Sequence, residues 1–181
     1  HVDPDHKERE FLTLDELTAM TEIKLEDPNM AFARDLFIFG CWTGISFIDI
    51  KNLTEDNISM INGAPWIVSK RQKTGVPFQI KLMDIPMQII GRYKAFRKGS
   101  HLFNIGNLDS INKRIKKVAA MCGIKKRVSF HVSRHSWAVL ALEYGMPIES
   151  VSKILGHTNI TTTQIYAKVT STKLDHDISV F

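Results

Sequence analysis

Apolar positions along the 181-residue chain recur mostly at helical spacing, with one interval where the period falls to that of strands. Asp15 and Glu16 follow Thr13 as first-turn carboxylates follow a cap, so a first helix is expected to start at Thr13 or just after it. Beyond Pro28, the run Met30, Phe32, Ala33, Leu36, Phe37, Phe39 to Trp42 predicts a second helix that is buried. A short helix is expected over 46–52, entered through Thr43-Gly44. The period then changes: 66–68 and 78–82 read as two strands, joined across 70–75, where Gly75 supplies a turn residue. Helices return after Pro86, over 87–97 and again over 108–122. In the second of these Leu108, Ile111, Ile115, Val118 and Cys122 share a face, with Asn107 placed to cap and Gly123 to terminate. Further helices are expected over 130–144 behind Ser129 as cap, over 148–155 up to Gly156, and in a short final piece that Asn159 caps and that contains Tyr166. The pattern as a whole predicts a mainly α fold with a small antiparallel β-hairpin or sheet. Residues 1–12 read as a polar lead-in, 13–169 as one domain, and 170–181 as a C-terminal tail ending Ile178-Ser179-Val180-Phe181.

Composition narrows the setting. At 44% hydrophobic residues the chain can bury one ordinary core. No apolar run reaches the roughly 18 residues that span a bilayer, and the first residues form no signal-peptide core, so a soluble protein of the cell interior is expected. Cys41 and Cys122 are far apart and lack partners at metal-ligand spacing, which argues against a disulfide framework or a zinc site.

The formal net charge of +5 hides a more basic body, because nine of the nineteen acids fall within residues 1–27. From residue 28 onward there are 21 Lys+Arg against 10 Asp+Glu, a net of +11. Between residues 113 and 127 lie Lys113, Arg114, Lys116, Lys117, Lys125, Lys126 and Arg127, and no acid at all. A cluster of this kind raises the expectation of a polyanionic partner such as nucleic acid.

Three fragments carry candidate chemistry: Phe130-His131-Val132-Ser133-Arg134-His135, Leu155-Gly156-His157 and Thr163-Gln164-Ile165-Tyr166. His131 and Arg134 are three residues apart at a helix start, where free amides and the positive dipole end also collect. Arginine offers a bidentate fork to a phosphate, and imidazole can move a proton beside it.

The order His131-x-x-Arg134, then Leu155-Gly156-His157, then Tyr166 nine residues later resembles the C-terminal signature of the tyrosine recombinases. The resemblance extends upstream. The segment from Trp42 through Thr43-Gly44-Ile45-Ser46-Phe47-Ile48-Asp49 to Ile50 resembles the family's Thr-Gly-Leu-Arg segment with its following acidic residue. Phe11-Leu12-Thr13 is similar to the usual entry into the catalytic domain, and Lys73 falls in the hairpin turn where the family carries a catalytic lysine. What this implies is the tyrosine recombinase catalytic-domain fold and an integrase that cuts and rejoins double-stranded DNA through a 3′-phosphotyrosyl link to Tyr166, needing no ATP, metal or other cofactor. It further implies His131 as proton acceptor, Arg134 and His157 on the scissile phosphate, and Lys73 as proton donor to the 5′-oxygen. Lys113, Lys116, Lys117, Lys125, Lys126 and Arg127 would grip flanking DNA phosphates. The family pattern also implies a monomer alone, a tetramer on DNA with the tail docking in cis or in trans, further domains upstream, and a place in the bacterial cytoplasm.

One position departs from the pattern. Ser46 stands where the family has its first catalytic arginine, a departure shared with integrases of conjugative and mobilisable transposons. A serine brings no permanent charge to a phosphoryl transition state, so another cation is expected to take over, and Arg71 is the candidate beside Lys73. Two other readings stay open at this stage: a DNA-binding helical domain without catalysis, and a topoisomerase using the same chemistry.

Overall fold

The structure, a computed structural model, describes residues 10–180. Its elements run α1 (Leu14–Glu22), α2 (Pro28–Thr43), α3 (Phe47–Lys51), β1 (Ile58–Ile61), β2 (Ala64–Lys70), β3 (Pro77–Lys81), α4 (Asp84–Tyr93), α5 (Leu108–Met121), α6 (His131–Glu143), α7 (Ile148–Leu155) and α8 (Thr161–Ser179). A mainly helical fold with one small antiparallel sheet is the class that the hydrophobic pattern predicts.

Helix α2 is the centre. Asp27 Oδ1 caps it by accepting the Asn29 amide at 2.8 Å, and Pro28 opens it, where a missing N–H does no harm. Every residue from Ala33 to Cys41 is buried, because α1, α4, α5 and α6 all pack against this one helix. Two of those buried residues are charged. Arg34 Nη1 donates to the carbonyls of Met20 at 3.0 Å and Ile23 at 2.8 Å, closing the C-terminal end of α1. Its Nε pairs with Asp35 at 2.7 Å. The second oxygen of Asp35 accepts from Arg92 Nη1 at 2.8 Å and from the Tyr93 hydroxyl at 2.5 Å, which draws in α4. Burial and then the Asp35 carboxylate push the Tyr93 phenol well above its ordinary pKa, so it stays a donor.

Several boundaries differ from the sequence reading. The sheet has three strands in the order β1-β2-β3 and not two. Strand β1 turns into β2 through Asn62 and Gly63, both at positive φ (50° and 76°), the two-residue turn that matches strand twist. Helix α4 starts at Asp84 and not 87, since Pro86 lies within the first turn, where it is tolerated, and a 3₁₀ turn takes over at Lys94. Ser129 does not cap α6 with its side chain. Its carbonyl accepts the Val132 amide at 3.0 Å, while Asn112 Oδ1 from α5 takes the Phe130 amide at 2.8 Å. Leu108, placed by its period on the buried face of α5, is exposed at the helix end.

The final helix is not short: α8 continues through nineteen residues to Ser179, taking in most of the expected tail. The lead-in up to residue 9 and Phe181 lie outside the described residues. Leu12, at the inner end of that lead-in, is fully buried and gives its amide to Ser136 Oγ at 2.8 Å.

Asp35 serves three donors from two helices inside the core, so removing it leaves a buried guanidinium without its counter-charge. Asp35→Ala is expected to lower unfolding free energy by about 3–5 kcal/mol, measured by urea denaturation with exposed Asp56→Ala as control. A loss below about 1 kcal/mol would mean the network carries no stability.

Candidate active site

Arg134 organises the site. It leaves the first turn of α6 toward the interior and is 6% exposed. Its Nη1 donates to the Gly44 carbonyl at 2.8 Å, and its Nη2 donates to the Leu155 carbonyl. Those acceptors are the C-terminal carbonyls of α2 and α7, groups that a helix leaves without internal partners. Both helices stop there at a left-handed glycine: Gly44 at φ 72° and Gly156 at φ 71°. Neither glycine has room for a side chain. A Cβ on Gly44 would lie 2.7 Å from the Trp137 ring, and one on Gly156 would lie 2.6 Å from Cδ of Arg71.

That last contact puts Arg71 in the site. The β2–β3 loop closes with the Arg71 amide on the Val76 carbonyl (2.9 Å) and the Gly75 amide on the Arg71 carbonyl (2.7 Å), folding the arginine back over α7. Its Nε is buried and lies 4.0 Å from Asp49 Oδ2. Asp49 is itself buried and fixed twice, by the Ser46 hydroxyl at 2.7 Å and the Gln72 amide at 2.9 Å. Asp49, Arg71 and Arg134 line one small recess with Ile45, Phe78 and Ile154. Burial, and next the neighbouring Arg71 charge, bring the Arg134 guanidinium down to about 10, against the smaller opposing pull of Tyr166 and Asp49. On the other side of Arg134 opens a cleft of about 430 Å³, walled by Ser46, Phe47, Asn112, His131 and Ser133 among others.

Tyr166 lies in the second turn of α8 at 3% exposure, within electrostatic reach of Arg134. Against its ring stands His135, with centroids 5.6 Å apart, and His135 in turn meets His131 edge-on at 4.5 Å. His131 is exposed at the mouth of the cleft. His157 follows the end of α7 and has its Nδ1 2.6 Å from Thr163 Oγ1, which ties it to the first turn of α8. The structure therefore gathers Arg134, His131, His157, Tyr166, Ser46 and Arg71 on neighbouring elements. Lys73 is exposed on the β2–β3 loop, two residues beyond Arg71. Sequence reasoning left Asp49, His135 and Thr163 without a role. The four-residue step from His131 to His135 was a readable signal, whereas nothing in the spacing pointed to Thr163.

The basic cluster divides. Lys113, Lys116 and Lys117 are exposed on α5, opposite its buried face of Ile111, Ile115 and Val118, and Lys125 and Arg127 are exposed in the following loop. Lys126 faces inward, against the expectation that it grips DNA. Its ammonium lies 2.6 Å from Glu16 Oε1 and donates to the Phe11 carbonyl at 2.9 Å. Burial pushes Glu16 up, but the bonds from Lys126 and the Thr13 amide outweigh it and hold the carboxylate below its usual range. Among the described residues no group of three or more His, Cys, Asp or Glu is placed to hold a metal ion, and no helix is long and apolar enough to cross a membrane.

A mainly helical domain with one small antiparallel sheet, its arginine pair, histidines and tyrosine brought onto neighbouring elements, is the architecture of a tyrosine recombinase catalytic domain. Residues 10–173 match the Phage integrase family, and the chain belongs to it. Among curated relatives, the tyrosine recombinase XerC of Natranaerobius thermophilus is 43% identical over 185 aligned positions, covering 94% of this chain and 62% of that protein. XerC of Neisseria meningitidis serogroup B is 28% identical over 172, covering 89% and 54%. This chain thus spans a little over half the length of the relatives it matches. Similar solved structures include the XerH site-specific recombinase in a post-cleavage complex with its difH substrate (TM-score 0.78, 19% identity, 96% of this chain and 54% of that one). The XerA recombinase (0.72, 24%, 91% and 60%) and the Tn1549 transposon integrase with circular intermediate DNA (0.71, 18%, 91% and 63%) share the fold as well.

The lowered pKa of Arg134 has a thermodynamic sign. Between about 10 and the higher ordinary arginine value the unfolded chain binds more protons, so this group's contribution to stability improves as pH rises through that window. At neutral pH its full cost is present, and an anion beside it offsets that cost. Sulfate is therefore expected to raise the melting temperature above a chloride control of equal ionic strength, with the increment much reduced in Arg134→Met and Arg71→Met. Equal increments in all three proteins would place the anion elsewhere.

Proposed function

We propose that this chain is the catalytic domain of a site-specific DNA recombinase that cleaves and rejoins double-stranded DNA through a 3′-phosphotyrosyl intermediate on Tyr166. The observation that carries this reading is the convergence of Arg71 and Arg134 on one recess beside a buried tyrosine. Two guanidiniums held largely out of water with one carboxylate, Asp49, beside them are costly to keep charged, and an incoming phosphate supplies the remaining negative charge.

In this reading the phenolic oxygen of Tyr166 attacks the scissile phosphorus, its proton passes to His131, and the 5′-oxygen departs with a proton from Lys73. One phosphodiester replaces another, so the step needs no ATP and reverses readily. Arg134 and His157 bind non-bridging oxygens, and Arg71 supplies the charge that Ser46 lacks. Ser46 instead holds Asp49, which holds Arg71 through its charge and the Gln72 amide. Because Tyr166 is buried, its hydroxyl reaches a phosphate only when the first turns of α8 shift. Lys113, Lys116, Lys117, Lys125 and Arg127 grip flanking phosphates and set register without reading sequence. Four protomers on DNA, each a monomer when free, suit the exposed apolar side chains Leu174, Ile178 and Val180 near the end of α8, which are available to dock on a neighbour.

On a nicked suicide substrate carrying the cognate site, wild type is expected to form a covalent adduct that Tyr166→Phe cannot form. An adduct with the phenylalanine variant sinks the assignment, and inactivity of every protein favours a DNA-binding domain without catalysis. Arg71→Ala should slow adduct formation about 10²–10³-fold, as loss of one transition-state donor does, while Ser46→Ala keeps most of the rate because Asp49 retains the Gln72 amide. The reverse ranking would make the serine hydroxyl the direct participant. Lys116→Ala with Lys117→Ala should leave the cleavage step intact and reduce the salt slope of DNA binding by about one unit per lost contact.

A further inference from the structure

We propose that His135 is a positioning residue for Tyr166, and that it links the seat of the nucleophile to the segment 10–12 by which the chain enters the domain. The inference rests on the reading of Tyr166 as nucleophile. His135 follows His131 by one helical turn and so shares its face of α6, with Arg134 about 100° round the helix from it. It is buried, with its ring against that of Tyr166 at 5.6 Å between centroids and 49° between planes. Its opposite neighbour, the His131 ring, stands nearly perpendicular at 77°. The imidazole is thus clasped between the candidate proton acceptor and the candidate nucleophile, and its own orientation decides where the tyrosine ring rests.

What orients the imidazole comes from the entry segment. Nδ1 of His135 lies 3.4 Å from the Glu10 carbonyl, a long contact in which a proton on Nδ1 would be the donor. The same segment is fastened on both sides: the Leu12 amide donates to Ser136 Oγ, the next residue of α6, and Lys126 donates to the Phe11 carbonyl. Residues 10–12 therefore lie as a short strap across α6, and the strap touches the histidine whose ring meets that of Tyr166, so a pull on the chain at residue 10 reaches Tyr166 by way of His135.

Two substitutions separate ring from tether. His135→Asn keeps an N–H near the Nδ1 position and removes the ring, while His135→Phe keeps the ring and removes the tether. Adduct formation at saturating nicked DNA is expected to fall about tenfold in the asparagine variant, the scale of a lost aromatic pair, and to recover only part of the way in the phenylalanine variant, whose ring lacks the Glu10 tether; full recovery there would overturn the link to residues 10–12. DNA affinity should stay within about twofold of wild type, since neither change touches the basic face of α5. Hydrogen exchange of the α8 amides around Tyr166 should quicken in His135→Asn, with α2 amides unchanged. A wild-type rate and unchanged α8 exchange in the asparagine variant overturn the proposal, as does quickening of α2 and α8 together without recovery by phenylalanine, which is the behaviour of an ordinary core residue. Should Tyr166→Phe still form adduct, the nucleophile assignment fails on its own, and the α8 exchange alone then decides whether His135 seats that helix.

Discussion

A guanidinium at 6% exposure has lost nearly all of its water, and the fold around Arg134 is arranged to replace that water with something else. Two helices end on it. The last carbonyls of α2 and α7, at Gly44 and Leu155, are groups that any helix must satisfy from outside, and they carry the negative ends of their dipoles. One cation thus closes two helices, and two helices hold one cation. The arrangement requires both chains to turn away sharply at the same place, which explains left-handed glycines at 44 and 156 with no space for a methyl group at either. Because Arg134 is fixed by backbone, its remaining N–H groups are aimed before any ligand arrives, and little reorganisation is left for the reaction itself.

The departure at Ser46 becomes intelligible on the same basis. An arginine on the N-terminal side of α3 is one way to bring a second positive charge near Arg134. Here the second charge arrives from the β2–β3 loop, and the residue at 46 helps by holding Asp49. Like charges repel: Arg71 is the second cause of the lowered Arg134 pKa. Asp49 lies between the two as the compensating carboxylate, and Gly156 leaves the gap through which the Arg71 side chain crosses α7. Loss of Asp49 would leave two cations facing each other in low dielectric, so the acid matters to placement as much as to charge.

How far the sequence could be read depends on the range of the interaction. Local signals were faithful: Thr13 with Glu16, Asn107, Asn159 and Gly156 act at the helix ends where their chemistry put them. Asn62-Gly63 is an equally local signal for a hairpin, but Ile58 to Ile61 lacks the clean alternation of a strand with one buried face, its residues being mostly half-buried. The length of helix α8 is illegible for a related reason: Thr161, Thr162, Thr163, Val169 and Thr170 are weak helix formers, and packing on α6 and α7 overrides that preference at the start of the helix. The motif residues could be named from order and spacing alone. Their environment could not, since nothing in the sequence says that Lys126 turns inward to Glu16, or that Arg71 lies over Gly156.

The same division runs through the charges. Those that face solvent on α5 and in the loop after it stand at high dielectric, where a contact to an anion is weak, screened by salt and replaceable by its neighbours. Arg134 and Arg71 act at low dielectric, where each contact is strong and its removal strands a partner. The proposed function, holding long DNA loosely yet acting on one phosphate, would need both kinds, kept apart. Here the partition follows from α5 showing one face to the core and the other to water, while α6 begins at the cleft and runs into the core. Tyr166 stands on the buried side of that partition. That burial keeps the phenol out of water beside the Arg134 charge, and on the proposed reading a phosphate that offsets this charge would couple recognition to reactivity through one electrostatic balance.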